Sequence, residues 1–196
     1  AIFVATIIGC ITRPLPIAGV AIIGLTLTVL LGIVPMDTAV AGFGSSTVWM
    51  IAMAYFMSRG FINTGLGRRV ALVFVRLFGK RTLGLAYALI GVDLVTAPAT
   101  PSNTARAGGI VYPIIQSLAE TFGSDPKDGT QSKIGSFLVF AEFHGDLITS
   151  TMFMTAMAPN LVAVTLAKSL HITLSWMQWF LAGIVPGLIC LLVVPY

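Results

Sequence analysis

Residues 15–34 (LPIAGVAIIGLTLTVLLGIV) run without one charged side chain. About 20 such residues, wound as a helix, reach across the hydrocarbon core of a bilayer. Residues 38–58 (TAVAGFGSSTVWMIAMAYFMS), 147–167 (LITSTMFMTAMAPNLVAVTLA) and 174–196 are stretches of the same kind, and 1–11 reads as the end of another. These are not the alternating segments of about ten residues that build an outer-membrane barrel. Only 9% of the chain is charged and 57% is hydrophobic, against roughly 25% charged in a soluble domain. That composition excludes an ordinary soluble enzyme, a disordered tail and a coiled coil. An all-α membrane protein is predicted. Both ends lie inside apolar runs, which predicts a piece of a longer protein. Cys10 and Cys190 also lie in apolar runs, and are expected to behave as small hydrophobes without disulfide or metal spacing.

The few charges set the topology. With spans at 1–11, 15–34, 44–64, 134–167 and 174–196, Arg13, Arg68, Arg69, Arg76, Lys80, Arg81, Lys127 and Lys133 fall on one side. The other side receives Lys168. Lysine and arginine gather on the cytoplasmic face, so residues 65–81 and the loop 119–133 are predicted to be cytoplasmic. Residues 65–81 (GLGRRVALVFVRLFGKR) are too charged to cross. With Leu72, Val73, Val75, Leu77 and Phe78 as apolar residues, they are predicted to lie in the interface against lipid headgroups, not nucleic acid.

Residues 82–119 begin and end on that cytoplasmic side and break at PATPS, around Pro98 and Pro101. Each arm has about 16 residues, or ~24 Å of helix, short of the ~30 Å core. A re-entrant hairpin is favoured over two short spans, because irregular backbone at that depth must line a cavity or be buried in protein. Ser102, Asn103 and Thr104 follow the break directly. They are good helix N-cap types and supply small donors beside the positive end of the second arm. An anion is the ligand that such a tip suits. Gly108 and Gly109 are expected to allow close helix packing behind it.

A second break is predicted in the long segment 134–167 at TAMAPN, Thr155 to Asn160, where Pro159 interrupts helical bonding. Paired interrupted elements facing a cavity are characteristic of secondary transporters, and their free carbonyls can coordinate a small cation. Asp93 and Arg106 lie almost symmetrically about the tip and are predicted to pair structurally across the hairpin. Glu142 and Asp146 share a helix face, where hydrogen bonding to neighbouring helices or to an aqueous cavity is favoured over binding a cation or holding a proton. His144 points roughly 200° away, so no metal site is expected. The Met and aromatic residues at 49–57 and 152–157 read as packing. GFGSST (42–47) and GLGRRV (65–70) are not nucleotide loops, since neither sits in a βαβ unit. No nucleophile–base pair appears, so an enzyme is not expected.

The run LGRRVALVFVRLFGKRTLGLAYALIGVDLVTAPATPSNTARAGGIVYPII, followed by STMFMTAMAPNLVA and ITLSWMQWF, resembles the divalent-anion/sodium symporter superfamily. The likeness covers essentially the whole chain and is nearest the citrate/succinate and 2-oxoglutarate/malate translocator branch. It implies the N-terminal inverted repeat of an elevator-type transporter, a homodimer in the inner membrane, with a re-entrant helical hairpin and an interrupted transmembrane helix. Residues 1–81 would be scaffold-type helices and the interfacial helix. Residues 82–168 would be the transport-type region, with the hairpin at 82–119 and the interrupted helix at 134–167, and 174–196 the last transmembrane helix. The resemblance makes Ser102, Asn103, Thr104 and Asn160 substrate-binding, and Ser102, Asn103, Thr155, Ala156 and Pro159 cation-binding, with Na+ the candidate coupling ion. Pro98 stands where sodium-coupled members carry a serine, which favours exchange of di- or tricarboxylates. Sodium-coupled symport is the alternative, and a channel or structural subunit a more distant one.

Overall fold

The computed structural model describes residues 1–196, the side chains of Met57 and Phe61 excepted. Every regular element among the described residues is helical. The chain forms two compact units, Ala1–Trp49 and Met50–Tyr196.

In the first unit α1 (Ile2–Thr12) packs on α2 (Ile17–Leu30), Gly9 meeting Val20 and Gly24 meeting Thr6, the contacts of an antiparallel pair. Side chains this small let two helix backbones approach closely. Arg13 closes α1 in the left-handed conformation at φ 51°, ahead of Pro14 and Pro16. Residues 15–34 are therefore not one crossing helix. Pro16 stands outside α2, and Gly32 at φ 66° turns the chain after it. Residues 38–58 are also divided. A short α3 (Met36–Val40) and a 3-10 turn (Ala41–Gly44) precede α4 (Ser46–Asn63), with the two parts bent by 45°.

The second unit continues with α5 (Leu66–Phe78) and α6 (Thr82–Thr96), which ends in a 3-10 turn at Ala97–Ala99. The return arm is one continuous helical path: α7 (Asn103–Arg106), a π turn (Ala107–Val111) and α8 (Tyr112–Thr121). Then follow α9 (Ile134–Met152), α10 (Ala158–Ser169) and α11 (Trp176–Val193). Among the described residues Thr82–Ala99 and Trp176–Val193 are each long and apolar enough to cross a membrane unbroken.

Leu85, Leu89 and Val92 of α6 meet Val111, Ile115 and Leu138 in one core, into which α5 adds Ala71. A second core joins Ile90, Met152, Phe153 and Leu191, with Phe153, Trp176 and Phe180 stacked beside it. Glycines set the helix spacings: a Cβ on Gly91 would come within 2.7 Å of the Phe74 ring, and one on Gly145 within 2.7 Å of Ile90. The compact unit thus runs across residue 81, with α5 and α11 both packed on the helices of 82–168.

Helix α5 has two apolar edges instead of one. Gly67 and Ala71 are buried and Phe74 and Val75 pack into the core, whereas Leu72, Val73, Leu77 and Phe78 stay exposed. Arg68, Arg69 and Arg76 are exposed as well.

Candidate functional site

The hairpin tip forms because prolines withdraw donors on both sides of it. Pro98 lies in the 3-10 turn after α6, and Pro101 precedes Ser102, which is extended at φ −145°. Ser102 Oγ then accepts from Ala105 N at 3.2 Å, capping the return arm. Asn103 Oδ1 accepts from Thr104 N at 2.9 Å. Ser102 is buried, Asn103 half-buried and Thr104 exposed. The Asn103 amide NH2 and the Ser102 and Thr104 hydroxyl hydrogens have no protein acceptor among the described hydrogen bonds. Three neutral donors thus remain available along one short stretch.

Behind the tip Gly108 and Gly109 fall in the π turn, not in a helix contact. A Cβ on Gly108 would meet open space, and one on Gly109 would only touch Ile62 at 3.4 Å. The expected close packing is therefore absent at Gly108, while Gly109 stands at ordinary contact distance from Ile62 of α4.

The second break lies earlier than its proline suggests. Helix α9 stops at Met152 and α10 resumes at Ala158, so the irregular stretch is 153–157. Pro159 belongs to the first turn of α10, where its missing N–H costs nothing. Asn160 reaches back across the break and donates to Ser150 O at 2.8 Å and Phe153 O at 2.9 Å. Both amide hydrogens are spent on carbonyls at the break, of which Phe153 O also accepts from Ala156 N at 3.0 Å. That leaves the Asn160 side chain with its Oδ1 acceptor.

The tip and the break touch. Thr155 Oγ1 donates to Pro98 O at 3.2 Å and accepts from Trp176 Nε1 at 3.3 Å. Arg106 completes the junction from a fully buried position. Its Nε lies 2.5 Å from Asp93 Oδ1, and its Nη2 reaches Asp146 Oδ1 at 2.7 Å and Ser150 Oγ at 2.6 Å. Nη1 donates to Thr100 O at 3.0 Å and Ala156 O at 3.3 Å. A guanidinium has five N–H groups, and all five are engaged. Thr149 Oγ1 holds the other Asp93 oxygen.

This network ties α6, the tip, α9 and the break into one body. It brings Asp93 and Arg106 together across the hairpin and leaves no N–H with which Arg106 can meet a substrate. Ala156 O faces the guanidinium. The i, i+4 spacing on α9 places Glu142 and Asp146 on the buried side and His144 away from them. His144 Nδ1 pairs with Phe140 O at 2.8 Å, and its ring lies against Phe140 and Phe143. Among the described residues no three His, Cys, Asp or Glu side chains form a metal-holding group. Cys10 and Cys190 are free thiols.

The family model described as "Sodium:sulfate symporter transmembrane region" matches residues 1–196. The chain belongs to the sodium:sulfate symporter family. Its relatives include the "Putative malate transporter YflS" of Bacillus subtilis (strain 168), 55% identical over 196 residues, all of this chain and 41% of that protein. The chloroplastic "Dicarboxylate transporter 1" of Arabidopsis thaliana is 48% identical over 197 residues, all of this chain and 35% of that protein. The "L-tartrate/succinate antiporter" of Escherichia coli (strain K12) is 39% identical over 215 residues, all of this chain and 44% of that protein. The chain thus spans about two fifths of the length of these relatives.

In this family member the residues that sequence reasoning missed are the partners of Arg106 on α9. Asp146 and Ser150 lie one turn apart on the helix face that also carries Glu142 and Thr149 nearby. Four polar groups on one side of an otherwise apolar helix are the signal that marks them.

Proposed function

We propose that this chain is the N-terminal inverted repeat of a secondary carrier that exchanges small di- and tricarboxylates, of the 2-oxoglutarate, malate, succinate and citrate class, across an inner membrane. The observation that carries the reading is the outward grading of the tip, from buried Ser102 through Asn103 to exposed Thr104, with its donors unspent. Carboxylate oxygens accept such hydrogen bonds, and the positive end of the return arm favours the anion. The printed names of the relatives, a malate transporter, a dicarboxylate transporter and a tartrate/succinate antiporter, support the substrate class.

In this reading the hairpin is re-entrant, a second, inverted copy of the tip closes over the substrate, and an elevator motion carries the site within each subunit of a homodimer. Exchange is favoured over sodium symport because the carbonyls of Ser150, Phe153 and Ala156, at the break, already accept from Asn160 or Arg106. Sodium symport is the second reading, supported by the family's own description. Ser102, Asn103 and Thr155 are the residues left to hold Na+ in it.

Full-length protein in proteoliposomes loaded with one dicarboxylate should take up a second, labelled dicarboxylate without a sodium gradient. Uptake that requires external sodium would move the assignment to symport, and no uptake of any dicarboxylate would end the carrier reading.

A further inference from the structure

Glu142 is buried, at 4% exposure, and among the described residues neither of its carboxylate oxygens has a hydrogen-bond partner. It is the buried acid that the Arg106 network does not reach. It lines a cavity of about 210 Å³ with Ala107, Gly108, Tyr112, Phe143 and Asp146. The π turn forms one wall of this cavity, and Gly108, which meets nothing there, leaves it room.

The charges around it do not balance. From α6 comes Asp93 and from α7 Arg106, the two paired with each other, while α9 itself adds Asp146, which lines the same cavity. Tyr112 of α8 also lines the cavity. His144 is turned toward Phe140, and the Tyr87 hydroxyl of α6 is bonded to Leu192 O. Cys190 of α11 lines a different cavity. Asp93 and Asp146 each accept from Arg106, whereas an ionised Glu142 would be a buried charge with no donor among the described residues, and such a charge is neutralised. A metal ion is a poor neutraliser here. Hard cations take about six or more oxygens, and this cavity's side chains offer two carboxylates and one phenol.

We infer that Glu142 is a proton site: the side chain holds a proton as Oε–H and exchanges it with water through the cavity beside the π turn. The step is a simple ionisation, in which the Oε–H bond breaks, its electron pair stays on the carboxylate, and the proton leaves to water. Ionised Glu142 would add negative charge one helical turn from Asp146, which holds Arg106, which in turn holds Thr100 O at the tip. A proton on Glu142 therefore favours an anion bound at Ser102–Thr104, and by linkage a bound anion favours the proton. That link to transport rests on the carboxylate-carrier reading, whereas the proton on Glu142 does not.

Two measurements on purified full-length protein separate the two. Infrared difference spectra between acid and alkaline buffer should show the carbonyl band of a protonated, buried carboxyl group, lost in Glu142→Gln. The same band in Glu142→Gln, or its removal by added Na+ at constant pH, overturns the proton site. In proteoliposomes the KM for labelled dicarboxylate should rise with pH by up to about tenfold per unit in the native protein, and stay flat in Glu142→Gln, with kcat kept. Equal pH profiles in the two proteins overturn the link while leaving exchange itself standing. Should Glu142→Gln fail to fold, Glu142→Asp keeps a titrating group. The pH midpoint of KM should then move, and an unmoved midpoint overturns the inference.

Discussion

The two ends of α7 are three residues apart and behave oppositely. Arg106, the charged residue, is wholly buried with every N–H engaged. Asn103, a neutral one, is half-buried with its amide hydrogens unspent. A cation near a suspected anion site invites the assumption that it binds the anion. Here the cation is a clamp, and the neutral side chains of the tip are the ones with donors unspent. A buried charge stabilises only when all its partners are present, and then it has nothing left to offer a ligand.

Substitutions at the two ends should therefore separate folding from transport. Arg106→Ala should have the largest effect, leaving Asp93 and Asp146 buried without their partner at a cost of about 3–5 kcal/mol. Full-length protein carrying it should barely accumulate in membranes. Arg106→Lys should rescue little, since three donors on a flexible stem cannot replace a five-donor fork. Normal accumulation of Arg106→Ala would show that the clamp is dispensable.

Asn160→Ala comes next. It removes the side-chain donor from Ser150 O, and one of two donors from Phe153 O, and should cost about 1–3 kcal/mol, read as a lower thermal midpoint in detergent. Transport by the protein that remains should persist, because Asn160 has no hydrogen left for a carboxylate. Loss of transport at an unchanged midpoint would return Asn160 to the substrate site. Thr155→Val should cost about 1 kcal/mol through its lost bond to Pro98 O, visible as a small midpoint shift.

The smallest effect on stability should come from Asn103→Ala, with its thermal midpoint close to the native one. Dicarboxylate exchange should nonetheless disappear. Retained exchange in that variant would break the contrast between the two ends of α7.

Much of this architecture is legible in the sequence where the cause is local. Pro98 and Pro101 make the hairpin tip readable, and Ser102 is a capping residue just where a cap is needed. The near symmetry of Asp93 and Arg106 about residue 100 makes their pairing readable too, because antiparallel arms put them at similar depth. Pro159 misleads by a few residues, since a proline tolerated in a first helical turn marks where α10 begins rather than where α9 ends. Gly108 misleads as well, because the π turn that carries it has no sequence signature of its own. The partnership of Arg106 with Asp146 and Ser150, 40 and 44 residues away, is not readable at all from local pattern.

The sequence alone determined that the chain is helical and apolar, where its hairpin turns, and which small polar residues stand at the turn. Those properties follow from composition, proline placement and capping chemistry, which act over a few residues. Only the tertiary structure decided which polar groups are spent and which are free. That depends on α6, α7 and α9 meeting at one point, where a single guanidinium satisfies Asp93, Asp146, Ser150 and two backbone carbonyls and leaves Glu142 without a hydrogen-bond partner among the described residues.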